Sequence, residues 1–197
     1  MIRAARTARA PLEFSCDCGQ LRGHLDPVHG NRAQCFCADC RAAELFFGRP
    51  DPAPGPVDLF QTMPDWLTLT HGADRLALLR LGPRGLLRWY AGCCDTPMFN
   101  TLAKPTLPFV AVHLGRLADP ARAGRVGTRS FVPQPGGSRR HEGGLRLLGG
   151  VFVPMLVARL SGRWRRTPFF DASGAPVAEA RIPDRKTRAA LYPDGRG

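Results

Sequence analysis

Seven cysteines fall into three groups along the chain: Cys16/Cys18 in "CDCG", Cys35/Cys37/Cys40 in "CFCADC", and Cys93/Cys94 in "RWYAGCCDTPMFNT". On an extended strand the side chains repeat every two residues, so C-x-C aims both sulfurs at one face. Two such sulfurs can share one metal ion at ~2.3 Å. In "CFCADC" the third cysteine returns at the start of a helix, whose positive end favours thiolate over thiol. Three sulfurs from one short segment form a tripod that leaves the fourth position of a zinc ion open, the arrangement associated with catalytic zinc. The paired Cys93 and Cys94 do not follow this logic, because neighbours on an extended chain point to opposite faces. Seven is also odd, so a closed disulfide framework is ruled out.

The elements that must position these groups are short. Strands are expected over 12–16 and 20–26, around a turn at Gly19, and extended chain over 33–37. Residues 38–47 predict a short helix with Asp39 in its first turn. Residues 48–56 carry four prolines and predict a loop. Strands then follow over 57–62, 67–70, 75–81, 85–91 and 109–117, separated by Gly and Pro. This punctuation predicts an antiparallel, mainly β architecture. Pro97 is expected to end the late strand. Beyond residue 118 the character changes: 124–144 reads as loop, 145–160 as a helix that Pro154 kinks or restarts, and 168–182 as a hairpin around Ser173-Gly174. The expected organisation is therefore a basic tail over 1–11, a metal-binding domain over 12–117, and a C-terminal α/β extension over 118–197 packed on it.

The 197 residues are enough to bury a sizeable core without disulfides. The formal net charge is +12, and of the 28 basic residues only Lys104 and Lys186 are lysines. Such arginine use, with abundant Ala, Gly and Pro, looks like the coding bias of a GC-rich, bacterial genome. The arginines are spread along the chain, which favours a generic basic surface over a dedicated nucleic-acid groove. "RWRR" at 163–166 is the best basic-aromatic cluster, and an ordinary solvated face accounts for it. The opening "MIRAARTARAP" lacks the apolar run of a secretory leader. Leu145–Leu160 is too short and too broken by Gly and Pro for a span. A reducing cytoplasm and no membrane partner are expected, and there clustered cysteines mean metal or catalysis.

The three motifs together resemble the glutathione-dependent formaldehyde-activating enzymes, whose fold is shared with centromere protein V. That family reads C-x-C-G, then C-x-C-x-x-C-R, then C-x-x-C-G-[ST]-P-[LM]-[FY], and the likeness covers about residues 12–117. It implies an antiparallel Mss4-like (β-tent) fold. It also implies a structural zinc on the first and last pairs and a second, catalytic zinc on the middle triplet. The chemistry implied is condensation of formaldehyde with glutathione, or the reverse carbon–sulfur lyase reaction. Aligned on "TPMF" (96–99), Cys94 takes the place of the second late cysteine, and Ala91 stands where the family has the first. Three outcomes are open: Cys93 swings in as the replacement ligand, the structural site is lost, or a non-cysteine ligand completes it. The first is preferred, since Gly92 permits an unusual turn. The chain thus looks like a bacterial subgroup with a paired late cysteine.

On this reading the metal ligands are Cys16, Cys18, Cys35, Cys37, Cys40, Cys93 and Cys94, holding one or two zinc ions. Cys35, Cys37, Cys40 and Asp39 would do the chemistry. Arg41 would bind a carboxylate of glutathione or of a related thiol–aldehyde adduct. For Asp39 the preferred alternative is a helix-start acid facing free N–H groups, and Arg41 could simply be a surface pair. His113 reads as structural, Trp89 and Tyr90 as core or sheet surface, and Asn100-Thr101 as weak candidates for a cleft. The competing function is a zinc-stabilised module without catalysis, binding protein or nucleic acid. Fold alone does not decide between them.

Overall fold

A computed structural model describes residues 10–26, 28–82 and 85–193 of the chain. Most of the expected basic tail, residues 1–9, lies outside these.

The architecture is mainly β, with one small and one large sheet. In the small sheet, β1 (Leu12–Ser15) and β5 (Leu67–His71) flank β2 (Arg22–Leu25), all antiparallel. The large sheet has nine strands. Its centre is an antiparallel run of β3 (Asn31–Cys35), β4 (Val57–Thr62), β9 (Val110–His113), β8 (Thr96–Thr101), β7 (Leu87–Ala91) and β6 (Leu76–Leu79), side by side in that order. Strand β7 alternates apolar Leu87, Trp89 and Ala91 onto a core where Trp89, Phe99, Phe14 and Phe169 pack ring to ring at 5.2–5.4 Å. The indole N–H of Trp89 donates to the Thr101 hydroxyl at 2.9 Å, so this buried donor is satisfied. Trp89 is therefore core.

Three expectations are corrected. Residues 124–144 are no loop. They contain β10 (Val126–Pro133) and β11 (Arg139–Glu142), a hairpin turned by Gly136 and Gly137, both at positive φ. Of the Gly and Pro residues that signalled loop, Pro135, Gly136 and Gly137 make the turn, while Gly127 and Pro133 lie within β10 itself. Nor is the sheet purely antiparallel: β10 runs parallel to β3 at one edge and β12 (Ala180–Arg181) parallel to β6 at the other. Segment 118–193 thus extends the sheet at both margins. Pro97 lies inside β8 and does not end a strand; the register slips there, opposite Tyr90, and a bulge tolerates the missing N–H. The hairpin expected around Ser173-Gly174 is present in short form: an antiparallel Phe170–Pro176 bridge, with the Asp171 N–H donating to the Ala175 carbonyl and the Val177 N–H to the Phe169 carbonyl, precedes β12.

The helices lie outside the sheet. Helix α1 (Ala38–Phe46) follows β3 directly. A continuous helical run over 144–160 comprises α2 (Gly144–Leu147), a π turn (Leu148–Phe152) and α3 (Val153–Leu160). Pro154 stands in the first turn of α3, directly after the π turn, so the second half of the run starts there as the sequence suggested. The wider turn ends just before the proline, whose missing N–H would otherwise orphan a carbonyl of the preceding turn. Gly150 lets this helix approach the sheet, since a Cβ there would lie 3.2 Å from the Asn31 side chain. Helix α4 (Arg185–Ala190) closes the chain, capped by Asp184, and delivers Leu191 and Tyr192 into a second apolar cluster with Ala42, Ala43 and Tyr90. No helix among the described residues is long and apolar enough to cross a membrane.

Candidate metal centres

The first centre is built by two turns. Strand β1 ends at Ser15, and Cys16 opens a tight turn: the Gly19 N–H donates to the Cys16 carbonyl at 3.0 Å, and the Leu21 N–H to the Cys16 sulfur at 3.3 Å. Gly19 has φ 73°, a conformation that favours glycine. The second turn, between β7 and β8, departs from strand geometry where the paired cysteines require it. The Cys94 N–H donates to the Ala91 carbonyl at 3.2 Å, and Asp95 takes a positive φ of 52°. Asp95, rather than Gly92, absorbs the left-handed step. Cys93 and Cys94 consequently face the same way, with sulfurs 3.9 Å apart.

These turns meet. The Cys93 sulfur lies 3.3 Å from that of Cys18 and 3.9 Å from that of Cys16, and Cys16 and Cys18 are 3.5 Å apart. All four sulfurs lie within 4.8 Å of one another, so the group can hold a metal ion. The Asp17 N–H donates to Thr96 Oγ1 at 3.2 Å, which ties the turns together. Asp17 also bridges Arg49 and Arg116. Electrostatics divide the pair. Burial, then hydrogen bonding with Cys18, pushes the Cys93 thiol up to about 12. Burial opposes ionisation of Cys94 too, but hydrogen bonds from Thr96 and Cys18 outweigh it and hold Cys94 at about 6. Ala91, where the resembling family has a cysteine, is fully buried beneath the turn.

The second centre forms where β3 passes into α1. Cys35 ends the strand, and Cys37 is the N-cap of the helix, its sulfur accepting from the Cys40 N–H at 3.3 Å. Cys35 and Cys37 sulfurs are 3.3 Å apart, and the three lie within 4.8 Å of one another. The tripod expected from the spacing is therefore formed, far inside a splay of about 7 Å that would prevent shared ligation. Burial differs across it: Cys40 is buried, while Cys35 and Cys37 are half-buried.

Behind Cys40 lies a residue that sequence reasoning passed over. Arg88, on β7, is 4% exposed, and its Nη1 stands 4.0 Å from the Cys40 sulfur. The same nitrogen donates to Asn100 Oδ1 at 3.4 Å; Asn100 Nδ2 in turn faces His113 Nε2 at 3.4 Å, and His113 Nδ1 lies 3.2 Å from Glu44. A guanidinium only donates, so Asn100 must present its oxygen to Arg88 and its NH₂ to the imidazole. Nε2 then accepts, and Nδ1–H donates to Glu44. The sign was an arginine inside the apolar strand "LLRWYA". Asn100 and Thr101 are buried, and His113 belongs to this network.

Arg88 also tests whether the tripod suits a metal. A buried guanidinium is costly unless an anion neutralises it, and the nearest candidate is the Cys40 sulfur. Hydrogen bonds from Cys35 and Cys37, aided by Arg88, hold Cys40 well below an ordinary thiol. Cys35 is driven upward by its hydrogen bonds with Cys37 and Cys40. Cys37 is pulled down by its bond with Cys35 but pushed further up by Cys40 and burial, to about 11. Thiolates at such separations repel, and a divalent cation would remove that repulsion. The all-sulfur donor set and the buried cation both fit a metal at Cys35, Cys37 and Cys40.

A cavity of about 650 Å³ opens on the exposed side of the tripod. Cys35 and Cys37 form part of its wall, and the 48–56 loop supplies another part. The rest comes from the β10–β11 turn, including Arg139, and from Leu191 and Tyr192 at the chain's end. Arg41 lines it too, but Asp51 grips that guanidinium at both Nε and Nη2, at 2.8 and 2.7 Å. Asp39 does not line the cavity. It accepts from the Tyr192 hydroxyl at 2.8 Å, so the phenol stands at the wall and Asp39 behind it.

The model of a family described as "Family of unknown function (DUF6151)" matches residues 9–181. No curated protein matches the sequence. A crystal structure of a Rhodobacter sphaeroides protein is similar over 58% of this chain and 96% of its own, at 19% identity and a TM-score of 0.43, a likeness too slight to carry an argument.

Proposed function

The chain belongs to the DUF6151 family of unknown function, and from its site we propose a zinc-dependent carbon–sulfur lyase acting on adducts of a thiol with an aldehyde. The reading takes up the resemblance to the formaldehyde-activating enzymes, and with it the Mss4-like arrangement, a cytoplasmic setting, and glutathione or another thiol as co-substrate. Zinc is the assigned ion because soft thiolate donors and closely set sulfurs suit it. Cys16, Cys18, Cys93 and Cys94 would hold a closed, structural ion. Cys35, Cys37 and Cys40 would hold a second with a position left for substrate.

The observation that carries this reading is the asymmetry of the tripod: the buried sulfur backs onto a cation, and the two others border the cavity. When bound, the ion would supply Lewis acidity that favours a substrate thiol as thiolate. The chain's own residues do the rest. Arg139, exposed at the cavity rim, attracts a substrate carboxylate. Arg41 is held by Asp51 and shapes the wall more than it reaches for ligand. Tyr192 keeps its hydroxyl proton directed at Asp39, so the pair presents a fixed polar edge rather than a free general base. Leu191 and Phe36 make the cavity partly apolar, which limits water near a labile adduct.

The test is zinc content measured beside condensation of thiols with formaldehyde, followed by NMR. Wild type should hold two ions and turn over; Cys37→Ser should lose one ion and all turnover. A fully zinc-loaded protein inert towards a panel of thiols and aldehydes would favour the non-catalytic module instead.

A further inference from the structure

The helical run 144–160 carries its apolar residues on the wrong side for a domain in water. Val151 and Ala158 are buried against the sheet, whereas Leu145 is 87% and Leu160 78% exposed. Between them Leu148, Phe152, Val153, Leu156 and Val157 are each about half exposed. Residues 145, 148, 152, 156 and 160 recur at three- and four-residue intervals, so they form one stripe along a helix roughly 25 Å long. Arg146 and Arg159 are the charged side chains of the run, one near each end. Isolated exposed leucines need no explanation, but a contiguous apolar stripe marks an interaction surface.

Charge selects the occupant. From Gly143 to Phe170 there is no acidic residue, and there are five arginines: Arg146, Arg159, Arg163, Arg165 and Arg166. Arg163 is partly engaged by Asp65 at 3.4 Å. Arg165 stacks on Trp164 at 4.4 Å just beyond the helix, which places an aromatic ring beside cations at one end of the stripe. A second copy of the chain would bring two such acid-free, basic segments together, on a protein already at +12. An anionic lipid surface satisfies both features: leucines enter the acyl boundary, while arginines and Trp164 stay at headgroup level.

We propose that the 144–160 face docks on an anionic membrane surface, with the helix lying in the interface rather than crossing it. This departs from the sequence expectation of no membrane partner, which weighed only a span. It stands independently of the metal centres. Docking requires the stripe and the arginines together, since a single weak signal does not anchor a protein.

The experiment is co-sedimentation of the full chain with phosphatidylcholine vesicles, with and without phosphatidylserine. The protein should partition onto the anionic vesicles about tenfold or more over neutral ones. The double variant Leu148→Asp/Leu156→Asp, at exposed positions, should lose that binding while keeping its melting temperature. Arg165→Glu/Arg166→Glu should weaken it and restore little on neutral lipid. Equal binding by the leucine variant would reduce the effect to bulk charge and overturn the proposal. So would a lack of binding to either vesicle, or a dimer in light scattering that the leucine variant dissociates.

Discussion

Arg88 and Cys40 meet in the interior: Nη1 of a 4%-exposed guanidinium stands 4.0 Å from a 3%-exposed sulfur, bridging strand β7 and the first turn of α1. Neither group would sit there alone. The arginine needs an anion, and the sulfur becomes one most readily beside a cation.

Arg88→Met should therefore weaken metal at the Cys35/Cys37/Cys40 site, by about 10–100-fold as for other residues that contact a ligand from behind. Competition with a chelator measures it. The Cys16/Cys18/Cys93/Cys94 site, on the other side of β7's turn, should keep its ion. Unchanged affinity at both sites would show that the guanidinium has no part in charging the tripod.

Cys93→Ser tests the paired cysteines. With its sulfur 3.3 Å from that of Cys18 and 3.9 Å from that of Cys16, Cys93 is placed to complete a four-sulfur site with Cys16, Cys18 and Cys94. One metal equivalent should disappear, and structural zinc contributes directly to folding free energy. At roughly 2–4 °C per kcal/mol for a domain of this size, losing several kcal/mol lowers the melting temperature by ~10 °C or more. Full metal content with an unchanged transition would leave Cys93 without a ligand role.

How much of this was legible in the sequence follows from what each pattern encodes. C-x-C and C-x-C-x-x-C speak of local geometry, and both pairs converge as their spacing demands. Strands β1 to β7 announce themselves by alternation and by Gly/Pro punctuation. The β10–β11 hairpin does not, because β10 carries Gly127 and Pro133 and no clean alternation, and β11, the edge strand, is wholly polar. The parallel pairings join residues about a hundred positions apart, which no local pattern signals. Arg139 reaches the cavity from a segment whose composition said loop, and Tyr192 from an extension that no motif tied to the site. Cys93 was the harder case: a C-C pair reads as opposed on a strand, and only the left-handed Asp95 turns both sulfurs inward.

Tyr192 gives a spectroscopic handle on the cavity wall. Burial, and then the Asp39 carboxylate it donates to, raise its pKa from 10 to about 12. The folded value lies above the unfolded one, so the stabilisation is complete below pH 10 and is lost as pH rises towards about 12. An absorbance titration at the tyrosinate band should show a late step that Tyr192→Phe removes. If the late step survives in Tyr192→Phe, the phenol is not held as described.

The last prediction concerns the start of the exposed helix. Gly143 precedes α2 at φ 82°, and a Cβ there would lie 2.0 Å from the Gly127 carbonyl oxygen. Backbone cannot yield as a side-chain tip does, so Gly143→Ala must shift either the helix start or strand β10. Left-handed strain costs an alanine ~1–2 kcal/mol, and the clash adds to it, so a loss of ~2 kcal/mol or more is expected in denaturant unfolding. Gly144→Ala is the matched control: its Cβ meets nothing within 4 Å and its φ is unexceptional. There the alanine should be neutral or stabilising by up to ~1 kcal/mol, since it removes glycine's entropy cost at a helical position. Equal effects at the two neighbours would mean that the helix does not begin where Gly143 places it, and the β10–β11 edge would then lose its anchor to the 144–160 run.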